Sequence, residues 1–172
     1  MKLDQLKSLI SSHRNFPKKG IVFRDVLDIL QEPVIFKKLI KNMSNVDFLL
    51  ESDAIISIDA RGFIFGSAMA LYTSKPLIFA RKPGKLPGEL VSKSYKLEYG
   101  KNSLSIQKKN LEKFNSFVIV DDLLATGGTV NCVYEILKSL NKEINGLSVV
   151  VELEELGARS KLPFKISSQV KF

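Results

Sequence analysis

Apolar and polar positions along this chain follow two periods, and their order predicts the architecture. Leu3, Leu6, Leu9 and Ile10 recur at helical spacing, which predicts an opening amphipathic helix. Pro17 and Gly20 mark a loop within residues 16–28. Pro33 stands at a first-turn position and opens a second helix reaching about Met43. Apolar runs at 54–58, 77–80, 117–120 and 147–151 read as buried strands, with a final strand at 164–170. Helical patterns at 63–72 and 130–140, and a short one at 154–161, fall between them. Tyr95, Leu97 and Tyr99 alternate with polar residues, so 94–99 reads as a strand whose hairpin partner is 103–107. Alternating strands and helices predict an α/β fold: a mostly parallel sheet covered by helices on both faces. Ligands in such a fold bind beyond the carboxyl ends of the strands.

A chain of 172 residues fits one domain with one sizeable core. Its 45% apolar and 26% charged residues are ordinary for a soluble globular protein. The single cysteine, Cys132, excludes an intrachain disulfide and suits a reducing compartment. No apolar run reaches membrane-span length and no secretory leader pattern opens the chain, so the expected setting is cytoplasmic with no membrane contact. The net charge of +8 suits anionic ligands. Basic residues are spread along the chain without an RNA-binding signature, so no nucleic-acid partner is expected. One histidine, His13, and one cysteine leave no zinc set.

The most informative segment is Val118-Ile-Val-Asp-Asp-Leu-Leu-Ala-Thr-Gly-Gly-Thr129. A buried strand is followed by two carboxylates, a loop of small residues and a helix. Ala125, Thr126, Gly127, Gly128 and Thr129 suit a phosphate: backbone N–H groups converge, hydroxyls add donors, and the helix N-terminus adds partial positive charge. Asp121 and Asp122 would repel that anion and must meet something else, such as sugar hydroxyls or a magnesium ion. A 5-phosphorylated ribose meets both demands. Neither G-x-x-x-x-G-K-[ST] nor G-x-G-x-x-G occurs, which removes the commoner nucleotide loops.

This segment resembles the 5-phosphoribosyl-1-pyrophosphate (PRPP) motif of the type I phosphoribosyltransferases. Three further segments are similar to the adenine branch of that family: Phe16-Pro-Lys-Lys-Gly-Ile-Val-Phe-Arg-Asp25, Asp59-Ala-Arg-Gly-Phe63, and Arg81-Lys-Pro-Gly-Lys-Leu-Pro-Gly88 with Tyr95-Lys-Leu-Glu-Tyr-Gly100. The resemblance runs from about Leu3 to the end of the chain. It implies the type I fold over 1–172, with a small hood from about 1–30 and the C-terminal segment, and a flexible loop at about 82–95. It implies formation of AMP and pyrophosphate from adenine and PRPP in purine salvage, with Mg2+, in a homodimer.

Residue by residue, the resemblance places ribose and 5-phosphate on Asp121, Asp122 and the loop from Ala125 to Thr129. Pyrophosphate falls to Asp59, Ala60, Arg61, Arg81, Lys82, Lys85 and Tyr99, with an unusual backbone conformation before the arginine. Arg61 offers a planar, permanently charged donor fork. Lys85, on a loop that closes over the diphosphate, supplies charge and excludes water. Glu98 matches the glutamate implicated in handling the purine proton. Val22, Phe23 and Arg24 match the base-binding loop, Phe23 stacking on adenine while backbone groups near Val22 and Arg24 read the exocyclic amine. Magnesium is expected largely on PRPP and water, with indirect help from Asp121 or Asp122. Lys18-Lys19 departs from the family's common second proline. The family's Gly-Arg pair reads Gly157-Ala158-Arg159 here, and no contact is assigned to it. Two alternatives stay open: the same fold acting on another purine, and a regulator that binds PRPP or RNA without turnover.

Overall fold

The structure, a computed structural model, describes residues 3–96 and 101–172. The chain opens with helix α1 (Leu3–Ser8), an antiparallel hairpin of β1 (Ser11–Arg14) and β2 (Val22–Asp25), and helices α2 (Pro33–Ser44) and α3 (Asp47–Leu50). Strand β3 (Ala54–Ile58), helix α4 (Gly62–Thr73) and strand β4 (Leu77–Ala80) follow. A second antiparallel hairpin, β5 (Leu90–Lys96) and β6 (Lys101–Gln107), leads through the short α5 (Lys108–Leu111) to β7 (Ser116–Leu124). Helix α6 (Gly128–Lys138), strand β8 (Glu143–Glu152), two 3-10 turns and strand β9 (Lys165–Lys171) complete it.

Strands β4-β3-β7-β8-β9, in that spatial order, form one parallel sheet. Its central strands are buried on both faces, which is why they read as unbroken apolar runs. Ile55, Val118 and Val120 face a core built with Leu6, Leu39, Phe65 and Met69 from α1, α2 and α4. Ile56, Ile58, Phe117 and Ile119 face the opposite core, with Val133, Ile136 and Leu137 of α6 and Leu104 and Ile106 of β6.

Several elements differ from the sequence expectation. The β1–β2 hairpin occupies part of what read as loop, because Ser11–Arg14 is largely exposed and carries no apolar alternation. Strand β7 runs on through Asp121 and Asp122, since its ladder with β8 is a backbone matter; Asp121 pairs with Val149 and Leu124 with Glu152. The 154–161 helix is two 3-10 turns divided at Gly157, which has a φ of 61°. Residues 90–95 of the expected flexible loop belong to strand β5, leaving 82–89 as irregular backbone. The C-terminal segment forms β9 of the main sheet, and its last residue, Phe172, lies against Arg24 of the β1–β2 hairpin.

Candidate active site

The strand order creates the site. From β3 the chain passes by α4 to β4 on one side, then returns to β7 on the other side, whose helix α6 covers the opposite face. Such a reversal leaves a crevice beyond the strand ends. The turn after β3, the segment after β4 and the loop after β7 all open there.

Arg61 and Asp122 meet across this crevice. Arg61 Nη2 stands 2.8 Å from Asp122 Oδ2, joining the loop after β3 to the end of β7. Among the described residues, neither Arg61 Nη1 nor the buried Asp122 Oδ2 has an aligned hydrogen bond. The turn that presents Arg61 contains a cis peptide between Asp59 and Ala60. Gly62 then lets α4 start almost against β7: a methyl built on it would lie 2.8 Å from Asp121 Oδ1 and 3.2 Å from Asp121 Cα. Asp59 and Arg61, two residues apart, do not pair with each other. Instead Asp59 Oδ2 accepts from Arg81 Nε at 3.2 Å, and Arg81 also donates to the Lys85 carbonyl at 3.3 Å. The Arg81 backbone is held by Ser105 of β6 in both directions, at 2.9 and 2.8 Å.

Both acids of the pair are buried. Burial, reinforced by the neighbouring Asp122 carboxylate, pushes Asp121 well above the ordinary carboxylate value. Burial also raises Asp122, with the Arg61 guanidinium opposing it. Burial thus works against charge on both carboxylates, while Arg61 favours it on Asp122. Beyond them, residues 125–127 turn the chain from β7 into α6, with Gly127 at a φ of 83° as the helix N-cap. Asp121 and residues 123–130 line a concavity of about 70 Å³ at this loop.

On the open side stands the β1–β2 hairpin. The Arg61 guanidinium lies 4.7 Å from the centre of the Phe23 ring, which Phe16 meets edge-on at 5.1 Å. Arg24 points elsewhere: Nη1 donates to Ser12 Oγ, and the guanidinium lies 3.9 Å over the Phe172 ring. Its neighbour Asp25 accepts from the Leu27 amide at 3.0 Å.

The chain was compared with known proteins. A family model described as a phosphoribosyl transferase domain matches residues 25–170. An adenine phosphoribosyltransferase of Prochlorococcus marinus (strain MIT 9211) is 62% identical over 172 residues, covering 100% of both chains. The crystal structure of adenine phosphoribosyltransferase from Thermoanaerobacter pseudethanolicus has a TM-score of 0.92 at 39% identity, covering 99% of this chain and 100% of that one. This chain belongs to the adenine phosphoribosyltransferase family. A Saccharomyces cerevisiae enzyme of that name, complexed with adenine and an imino-altritol bisphosphate, has a TM-score of 0.85 at 32% identity, covering 98% of each chain.

Of the residues that the resemblance to adenine phosphoribosyltransferases singled out, the fold gathers Asp59, Ala60, Arg61, Arg81, Asp121, Asp122 and the loop 125–129 at one end of the sheet, with Phe23 beside Arg61. Lys82 and Lys85 are exposed on the segment after β4. Glu98 and Tyr99 lie outside the described residues. Sequence reasoning missed Gly62, whose close approach to Asp121 needs the β3–β7 pairing to be seen. It also missed Phe172, which touches Arg24 across most of the chain's length.

Proposed function

We propose that this chain joins adenine to PRPP and releases AMP and pyrophosphate. The observation that carries the reading is the Arg61 guanidinium, 2.8 Å from Asp122 and 4.7 Å from the Phe23 ring. It brings the aromatic hairpin, the turn after β3 and the acid pair into one crevice. The bound adenine and bisphosphate of the yeast relative support the same pairing of ligands.

In this reading the 5-phosphate sits on residues 125–129, and Asp121 and Asp122 accept from the ribose 2- and 3-hydroxyls. Hydroxyl donation and nearby cations would favour the charged carboxylates that burial disfavours. Arg61, Arg81, Lys82 and Lys85 gather on the diphosphate, with Asp59 orienting Arg81. Phe23 offers its ring to adenine, with backbone groups of Val22 and Arg24 at its edge. The bond from the anomeric carbon to the pyrophosphate oxygen breaks, and an oxocarbenium-like centre develops. N9 of adenine forms the new bond to that carbon, and its proton leaves through Glu98. Closure of residues 82–95 over the diphosphate excludes the water that would otherwise capture this centre.

Magnesium fits the same site. Asp121 and Asp122 present hard carboxylate oxygens, and Asp122 Oδ2 lacks an aligned hydrogen bond. Two carboxylates would leave most of the ion's coordination positions to diphosphate and water. When bound, it would neutralise the departing diphosphate. A homodimer belongs to the same proposal. Leu71 and Tyr72 expose 86% and 51% of their surface around a cavity of about 370 Å³ between α2 and α4, lined also by Pro33, Phe36 and Ile40, an apolar face of the kind a second copy covers. A cytoplasmic setting also belongs to it, with Cys132 a buried free thiol.

The test is AMP formation from adenine, PRPP and magnesium, with hypoxanthine, guanine and xanthine in parallel. Turnover with adenine alone is expected. Turnover with another base would overturn the hairpin assignment, and PRPP binding without any turnover would point to a regulator.

A further inference from the structure

The segment that received no role from sequence lies against the phosphate loop. Gly127 is the left-handed residue at the head of α6. A methyl built on it would stand 3.2 Å from the Ala158 Cβ and 3.8 Å from Leu162 Cδ1. Both residues are buried, at 3% and 8% exposure, whereas Thr126 on the other side of the loop faces solvent. The loop therefore rests on residues 158–162, and its amide directions follow the position of that support. Lys161 and Leu162 also line, with Thr126, Gly127, Gly128 and Asn131, a cavity of about 280 Å³ beside the loop.

A side-chain clamp fixes the support. Arg159 grips Glu152, the last residue of β8, with both arms of its fork: Nε to Oε1 at 2.9 Å and Nη2 to Oε2. Glu152 is buried to 3% exposure, and Ser168 Oγ donates to its Oε2 at 2.6 Å. Arg159 Nη1 donates to the Ile166 carbonyl at 2.9 Å, tying the segment to β9 as well. Short 3-10 turns hold few backbone bonds of their own, so a planar, bidentate anchor on a rigid strand end sets where Ala158 lies.

We propose that Arg159, held by Glu152, is a positioning residue for the 5-phosphate loop, pressing Ala158 against Gly127 so that the loop amides point at the phosphate. This rests on the reading that residues 125–129 hold the 5-phosphate. It gives Gly157-Ala158-Arg159 a role in PRPP affinity rather than in the base pocket.

The experiment compares Arg159→Lys, which keeps the charge and loses the fork, Glu152→Gln, which keeps the shape, and Ala158→Gly, which removes only the pressing methyl. Each is assayed for KM with PRPP and with adenine, for kcat, for the melting temperature, and for calorimetric binding of ribose 5-phosphate. The expected result is a rise of at least about fivefold in KM for PRPP, matched by weaker ribose 5-phosphate binding, with KM for adenine and kcat within about twofold. Ala158→Gly should show this with little change in melting temperature. Lower melting temperatures with unchanged PRPP KM and unchanged ribose 5-phosphate binding would make the clamp merely structural and overturn the proposal. Wild-type protein that binds no ribose 5-phosphate would instead overturn the phosphate-loop reading, and this inference with it.

Discussion

Gly62→Ala isolates the closest approach in the site. Gly62 is the first residue of α4, and its φ is one that any residue adopts, so the substitution is opposed by space alone. The added methyl would meet Asp121 Oδ1 at 2.8 Å, and Asp121 Cα and the Val120 carbonyl at 3.2 Å each. Two of these are backbone atoms of a strand paired on both sides, so the helix start must move instead. Overpacking of this kind costs about 1–3 kcal/mol. For a chain of this size that lowers the melting temperature by roughly 2–12 °C. The movement is passed directly to Arg61, the preceding residue, and to the Asp121–Asp122 pair. Displacements approaching 1 Å at reacting groups cost up to about a hundredfold, so kcat/KM for PRPP should fall by about ten- to a hundredfold. Gly66→Ala is the control: one turn further along α4, its methyl would run into the Ser57 side chain, away from the acid pair. It should lose stability while KM for PRPP stays near wild type. Steady-state kinetics and thermal unfolding of both variants decide the matter. A Gly62→Ala enzyme that keeps its PRPP constants while melting lower would refute the idea that this contact sets the site's geometry.

Four other substitutions have expected outcomes, three from the same geometry and Glu98→Gln from the family resemblance. Asp122→Asn removes the charge that faces Arg61 and should weaken PRPP use by at least about tenfold, read from the PRPP KM and kcat; unchanged constants would remove Asp122 from the ribose site. Asp121 carries a raised folded-state pKa, so its contribution to stability is full below the ordinary value of 3.8 and is lost as pH rises through the folded value. Asp121→Asn should therefore melt higher than wild type in the absence of PRPP, by a margin that grows as pH rises from 3.8 to the folded value and then levels off; a margin that does not change across that span would contradict the burial argument. Glu98→Gln should lower kcat more than it raises the adenine KM, and equal losses in both would make Glu98 a binding residue. Phe172→Ala removes the ring under Arg24, a contact of about 0.5–2 kcal/mol, and should raise KM for adenine by roughly two- to thirtyfold without changing KM for PRPP; the reverse pattern would show that Phe172 does not hold the hairpin.

Strands 54–58 and 77–80 and helix α2 could be read from the chain alone, because a buried parallel strand and a Pro-started amphipathic helix are written in neighbouring residues. So could the acid pair and the small-residue loop, whose chemistry follows from their order in one short segment. Tertiary structure alone decided which charges meet. Asp59 and Arg61 are two residues apart, yet each pairs across the crevice, with Arg81 and Asp122 respectively. Those partners are set by strand order, which local periodicity does not encode. The same holds for Gly62 against Asp121, Ala158 against Gly127 and Phe172 against Arg24. Such contacts join residues distant in the chain through backbone pairing and packing, so no spacing rule announces them. The candidate site residues were legible because they lie together in motifs; the residues packed against them were not, because only the folded sheet brings them into contact.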